Sequence, residues 1–165
     1  MNLTFATATE SDALALNDLH AEVSEDLTRR YGPGSWSTVG RARSALFDTR
    51  FTRTVIALSG TTIAGTLHLQ TKKPWAIDTA YFTPVEKALY LTGMAVAPAW
   101  QRQGIGRSLI AEAAKQARAW PANALRLDAF NADAGAGGFY AKCGFTERGR
   151  VIYRNSPLIY FEMLL

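Results

Sequence analysis

Thiols are almost absent: the chain of 165 residues holds one cysteine, Cys143. A lone thiol excludes an intrachain disulfide and a cysteine-based zinc site, and it fits a reducing compartment. Histidine is scarce as well, and the two present, His20 and His68, read as structural residues on a helix and a strand. No segment nears the ~18 consecutive apolar residues of a membrane span, and the opening MNLTFATATE has no basic region ahead of an apolar stretch. The expectation is therefore a soluble, cytoplasmic protein. Runs of like charge are missing too. The 18 Lys and Arg against 14 Asp and Glu leave a net charge of +4 spread along the chain, without the basic stripe that a nucleic-acid-modifying module would carry. There is no internal repeat, low-complexity tract or linker. With 48% apolar residues, residues 1–165 suffice for one core and are too few for two ordinary domains.

What is present is an alternation of strand-like and helix-like segments. Asn2–Ala8 reads as a strand, followed by a helix capped at Thr9 or Ser11 that carries Ala13, Leu14, Leu16 and Leu19. Glu22–Arg30 reads as a second helix, broken by YGPGSW, and Thr38–Asp48 as a third. TVIALSGTTIAGTLHLQ (54–70) is a hairpin about Ser59-Gly60, and the stretch TKKPWAIDTAYFTPVEK (71–87) reads as a surface excursion. ALYLTGMAVAP is apolar on both faces, as a central strand must be, and stops at Pro98. A helix follows through Leu109, Ile110, Ala113, Ala114 and Ala117, then the strand ALRLDAF, a short helix in GAGGFYAKC, and two closing strands around a turn at Asn155–Pro157. Helices separating strands, with hairpins at both ends, predict a mixed α/β sheet.

The stretch WQRQGIGRSLI, Trp100–Ile110, sets two glycines at a helix start, although Gly costs a helix interior ~1 kcal/mol relative to Ala. Either the loop needs the glycines for its own geometry, or something approaches closely. The first amides of a helix have no internal acceptor, and the dipole makes that end locally positive, so an anion docks there readily. Bare positions at Gly104 and Gly106 would admit phosphate oxygens to the amides, with Gln101, Arg102 and Arg107 as further donors. The segment does not end in Gly-Lys-Ser/Thr, which excludes a nucleotide-hydrolysing phosphate loop. A dinucleotide fingerprint needs a third glycine where Leu109 stands. Gly135–Gly138 has no basic donors beside it and reads as a helix entry or a point of close packing.

LTGMAVAPAWQRQGIGRSLI, with Gln101, Gly104 and Gly106, followed downstream by FYAKCGF, with Phe139, Tyr140, Gly144 and Phe145, resembles the GNAT family of N-acetyltransferases over roughly residues 54–165. The resemblance implies an α/β fold with a mixed, mostly antiparallel central sheet, helices on both faces and a splayed central strand pair. It also implies acetyl-CoA as the acyl donor and direct transfer to a primary amine of a small molecule, amino acid or peptide. The pantetheine arm would lie along Met94, Ala95 and Val96. Its diphosphate would sit on the amides of Arg102, Gln103, Gly104, Ile105, Gly106, Arg107 and Ser108. No metal is needed.

Tyr140 stands where the family keeps its general acid, and a phenol with a pKa around 10 can protonate a departing thiolate. A backbone N–H near Met94 would stabilise the oxyanion of the addition step. For a base there are Glu86 and Asp128, with Asp78 in the loop; ordered water serves many relatives. Family members often carry an Asn seven residues before the tyrosine. Here Asp133 holds that register, with Asn131 two residues earlier, and either would bond the pantetheine beside Phe139.

Tyr31, Trp36, Trp75, Tyr81, Phe82 and Tyr153 are unusually aromatic for loops and would wall in an apolar or aromatic acceptor. A homodimer interface accounts for them as well. Arg29, Arg30 and Arg154 would suit a carboxylate on the acceptor. The competing reading is a non-catalytic acyl-CoA-binding sensor domain, which keeps the phosphate loop and dispenses with the acid.

Overall fold

The computed structural model describes residues 2–37 and 50–165; the expected helix Thr38–Asp48 lies outside the described residues. The strands are β1 (Leu3–Thr7), β2 (Thr52–Ser59), β3 (Thr62–Gln70), β4 (Ala88–Val96), β5 (Ala124–Phe130), β6 (Thr146–Tyr153) and β7 (Ser156–Leu164). They form one sheet in the order β1-β2-β3-β4-β5-β7-β6, antiparallel except where β4 meets β5. Three α-helices are described: α1 (Ala13–Tyr31), α2 (Ile105–Ala119) and α3 (Gly137–Lys142). The expected break near Glu22 does not occur. α1 runs unbroken to Tyr31 because nothing before Gly32, which caps it at φ +79, departs from helical geometry.

Strand periodicity sorts the side chains into two layers. Val55 and Ala57, Leu67 and Leu69, Leu89 and Leu91, and Leu125 and Leu127 join Ile105, Leu109, Ile110 and Ala113 of α2 in the main core. Ile56 goes the other way, to Leu16 of α1, and Ala95 meets Leu19. Helices thus cover both faces, with α2 and α3 on one side and α1 on the other. Leu109 is fully buried, and truncating a leucine so placed costs about 2–5 kcal/mol.

Both hairpins turn on backbone that L-residues rarely adopt. Gly60, at φ +61, opens the two-residue turn between β2 and β3. Arg154 and Asn155, at φ +47 and +65, form the turn between β6 and β7. Two consecutive positive φ values match the right-handed twist of the flanking strands. This places the turn slightly earlier than the Pro-based expectation, since Pro157 pairs within β7 opposite Ile152.

Residues 71–87 do more than pass over the surface. Ile77 and Phe82 are buried with Tyr90 and Tyr160, forming a second, smaller core on the α1 side of the sheet. The segment is bolted down by buried polar groups. Arg126 Nε donates to Glu162 at 3.0 Å and Arg126 Nη2 to the Thr83 carbonyl at 2.6 Å. The Thr83 N–H in turn donates to Glu162 at 3.1 Å, and the guanidinium lies 4.9 Å over the Phe82 ring. The Tyr160 hydroxyl donates to the Ala76 carbonyl and accepts from the Asp78 N–H at 3.2 Å.

Removing one member of a buried ion pair leaves the other charge uncompensated. Glu162→Ala is therefore expected to lower unfolding stability by about 3–5 kcal/mol, read from urea melts. Glu147→Ala, which breaks only an exposed pair with Arg150, should leave the midpoint where it is; equal shifts in the two variants would refute the clamp.

Candidate active site

The parallel pair at the centre of the sheet is short. β4 and β5 match only at Ala88–Ala124, Leu89–Leu125 and Tyr90–Arg126. Beyond that, β5 continues to pair with β7 as far as Phe130–Leu158, and β4 continues to pair with β3 as far as Val96–Gly65. The two strands part at Leu91. A bulge lies at the same place: between the Thr66–Ala95 and His68–Thr92 pairs, Gly93 and Met94 together oppose Leu67. Gly93 takes φ +58 there, a conformation glycine adopts without cost, and such a bulge strengthens local twist. Among the described residues, one edge of β4 over Leu91–Val96 is consequently left without a strand partner.

The opened strands form a cleft of about 380 Å³ lined by Thr92, Gly93 and Met94 from β4, Asp128 and Phe130 from β5, and Tyr140 from α3. Leu27 and Trp36 close it on the α1 side, and Gly135 and its neighbours close the end. Tyr140 is buried among Phe139, Phe145 and Phe161, with ring centroids 5.3, 5.8 and 5.9 Å away. Its hydroxyl points to the Met94 sulfur at 3.7 Å. Burial pushes the phenol pKa well above its ordinary value, and the charges of Asp128 and Cys143 add to the rise, so the group keeps its proton throughout the neutral range. Burial also raises the Asp128 carboxyl, only partly offset by its hydrogen bond to main chain. Among the described residues no cation pairs with Asp128.

The start of α2 is arranged differently from the expectation that both glycines bare the amides. Gly104 takes φ +86, and a Cβ there would meet nothing within 4 Å, so this position is open and needs glycine for its backbone. Gly106 is close-packed: a Cβ would lie 3.1 Å from the Phe139 ring and 3.4 Å from Met94. The missing side chain makes room for the protein's own aromatic residue. The Ser108 amide donates to the Gly104 carbonyl at 3.0 Å; the amides of Ile105, Gly106 and Arg107 ahead of it are the ones without an intrahelical acceptor. Gln101 and Gln103 are latches, donating to the Val96 carbonyl at 3.1 Å and the Ala99 carbonyl at 3.0 Å. Arg102, at φ +62, and Arg107 are exposed beside them.

The other expected site residues divide clearly. Met94, Tyr140, Asp128 and Trp36 converge on the cleft, and Phe139 packs beside it. Ala95 points away, toward α1, and Val96 packs on the main core. Glu86 is exposed in the 71–87 segment and does not line the cleft, and Asp78 caps the turn at Ala80. Asn131 and Asp133 are exposed beyond β5, and neither lines the cleft. Of the six aromatics, Phe82 is core, Trp75 stands in solvent, and Tyr81 packs on Tyr160 and the bare face of Gly149. Tyr31 is exposed at the end of α1, and Tyr153 lies under Arg154. Arg29 and Arg30 both pair with Asp26. Gly135 is tied to packing, as read from sequence, since a Cβ there would overlap the Phe130 carbonyl.

Thr92, Leu27 and Phe130 escaped the sequence reading, because nothing local distinguishes them from core or helix-face residues. Gly93 did carry a signal: an isolated glycine within a strand pattern marks a bulge.

Comparison with known proteins agrees with this architecture. The model of the acetyltransferase (GNAT) family matches residues 17–145. An aminoglycoside N(6')-acetyltransferase type 1 of Stenotrophomonas maltophilia is 36% identical over 69 residues. That match covers 42% of this chain and 45% of the relative, so the chain is aligned with less than half of its length. The ribosomal-protein-S18-alanine N-acetyltransferase of Escherichia coli superposes with a TM-score of 0.70 at 16% identity, covering 99% of this chain and 94% of that one. The PaiA N-acetyltransferase of Thermoplasma acidophilum, in complex with coenzyme A, gives 0.68 at 16% identity, covering 97% and 98%. With a matching family model over most of its length, a sheet opened between β4 and β5, and a tyrosine facing that opening, the chain belongs to the acetyltransferase (GNAT) family.

Proposed function

We propose that the protein transfers the acetyl group of acetyl-CoA directly to a primary amine. The observation that carries this reading is the unpartnered edge of β4 at Leu91–Val96, running from the hydroxyl of Tyr140 toward the free amides at the start of α2. An extended amide-bearing arm satisfies such an edge as another strand would, and a diphosphate suits the amides of Ile105–Arg107 beside the exposed Arg102 and Arg107. The open space at Gly104 supports the same fit.

Acetyl-CoA supplies a thioester whose carbon–sulfur bond breaks as the amine nitrogen bonds to the carbonyl carbon. The chain's own groups handle the protons. Asp128, on the cleft wall, accepts a proton from the incoming ammonium or from the nitrogen as it acylates. Tyr140 donates its phenolic proton to the departing sulfur and is then reprotonated from solvent. An ammonium acceptor gives up two protons, one to Asp128 and one to solvent, so one proton is released overall for each thiol formed. Burial equips both groups for this. A carboxyl shifted upward is a stronger base than an ordinary one, and a phenol shifted upward never ionises prematurely. Asp128 takes this role in preference to Glu86, which lies away from the cleft. The sensor reading has no such use for Tyr140.

Two measurements test the assignment. Tyr140→Phe should lower kcat by about a hundredfold or more while calorimetry shows coenzyme A binding unchanged; turnover within a few-fold of wild type would remove Tyr140 as the acid. As pH falls through the raised pKa of Asp128, the carboxyl gains a proton and can no longer accept one. The profile of kcat/KM should therefore decline on its acid side at a pH above the ordinary carboxylate value of about 4. Asp128→Asn should abolish that limb, and no decline assignable to Tyr140 should occur below about pH 10. An acid limb persisting in Asp128→Asn would assign the base elsewhere.

A further inference from the structure

The wall of the cleft opposite β4 is built by a loop that the reaction itself does not use. Gly32 ends α1 at φ +79, and the chain returns through Pro33 and Gly34 so that Trp36 folds back on its own loop. The indole N–H donates to the Gly32 carbonyl at 3.0 Å, and the Trp36 carbonyl accepts from the Ser24 hydroxyl at 2.7 Å. A Cβ at Gly34 would sit 2.5 Å from the indole ring, so only glycine lets the ring lie down there. The ring then meets Phe130 edge-on at 6.1 Å, at the cleft. An aromatic plane is thus held in place by its own hydrogen bond, a neighbour's hydroxyl and a glycine.

The charge of the cleft is equally restricted. Asp128 is the one carboxylate among the described lining residues. Asp26, the α1 carboxylate next in sequence to the cleft-lining Leu27, already holds Arg29 and Arg30. The groups that face Asp128 from neighbouring elements are the neutral phenols of Tyr140 and Tyr160. One ammonium can be matched here. A second or third would lose its water with no further counter-charge among the described lining residues, which is costly in a cleft walled by Leu27, Trp36 and Phe130. Space points the same way: at about 380 Å³ the cleft lies near the small end of the ~300–1,000 Å³ range of ligand pockets, and the thioester must share it.

We propose that the acceptor is a compact monoamine of the arylalkyl class, its ammonium at Asp128 and its flat apolar body against Trp36, and that polycationic aminoglycosides are excluded. This rests on the acetyl-transfer reading above and departs from the specificity in the name of the Stenotrophomonas relative. Trp36 is then a specificity residue and Gly34 the residue that positions it.

The test is release of free thiol from acetyl-CoA with phenethylamine, hexylamine and kanamycin. Phenethylamine should exceed kanamycin in kcat/KM by at least about tenfold, because the extra ammonium groups go unpaired. It should exceed hexylamine by a smaller margin. Trp36→Ala should raise KM for phenethylamine about tenfold with a much smaller change in kcat, and Trp36→Phe should recover most of the loss. Gly34→Ala, which displaces the ring without removing it, should show the same rise in KM, so the inference stays testable should Trp36→Ala not fold. Preference for kanamycin, equal rates across the panel, or a KM for phenethylamine indifferent to Gly34→Ala and, where it folds, to Trp36→Ala would overturn the substrate class and leave acetyl transfer intact. Thiol release from none of the three amines, where calorimetry shows acetyl-CoA binding, would overturn both.

Discussion

A main-chain N–H or C=O removed from water requires a partner, and no strand among the described residues provides one along the edge of β4 beyond Tyr90. Everything at the cleft follows from that deficit. The bulge at Gly93 and Met94 twists β4 away from β5, while β5 stays in register with β7 and cannot follow. The cleft exists because two strands that begin as neighbours are each held by a different partner. A tight parallel pair would have satisfied the same groups and left no room for a substrate.

The surroundings keep that opening from collapsing. On one side α2 packs its apolar stripe against the sheet, and Phe139 fills the space that Gly106 leaves beside Met94, setting Tyr140 at the sulfur of that residue. On the other, segment 71–87 is fastened by Arg126, Glu162 and Tyr160 through hydrogen bonds to its main chain. A buried ion pair of this kind adds little to net stability compared with apolar side chains, but it has directional demands that apolar side chains lack. It therefore fixes where the segment lies. The two faces of β5 divide the work: Leu125, Leu127 and Ala129 belong to the core, while Arg126 anchors the segment and Asp128 faces the cleft.

Glycine performs three separate tasks that look alike in sequence. Gly93 and Gly104 supply a left-handed backbone. Gly106, Gly135 and Gly149 yield space to a ring or a carbonyl. Gly34 allows an indole to fold over it. Gly106 and Gly149 answer to rings from distant segments, Phe139 and Tyr81, whereas Gly34 and Gly135 answer to near neighbours in sequence; the distant ring is why the phosphate-cradle expectation for Gly106 was incomplete.

Much of the architecture was legible from local pattern, since strand alternation, helical spacing and turn residues act over a few positions. The hairpins, the central strand ending before Pro98 and the start of α2 all belong to that range, whereas the link between the Gln101–Gly106 stretch and Phe139–Tyr140 rested on the resemblance to the GNAT family. Which loop aromatics converge did not. Trp36 reached the cleft and Phe82 the core, while Trp75 remained in solvent, because each outcome turns on how segments far apart in sequence pack together. The choice of Asp128 over Glu86 has the same origin: both are carboxylates near strands, and only burial at the parted edge of the sheet distinguishes them. Sequence by itself determined the elements and the residue types at the helix start, for those are set by short-range sterics and hydrogen bonding. Tertiary structure alone decided which side chains share a cavity, because that requires strands β4 and β5 to separate and a particular set of long-range contacts to hold them apart.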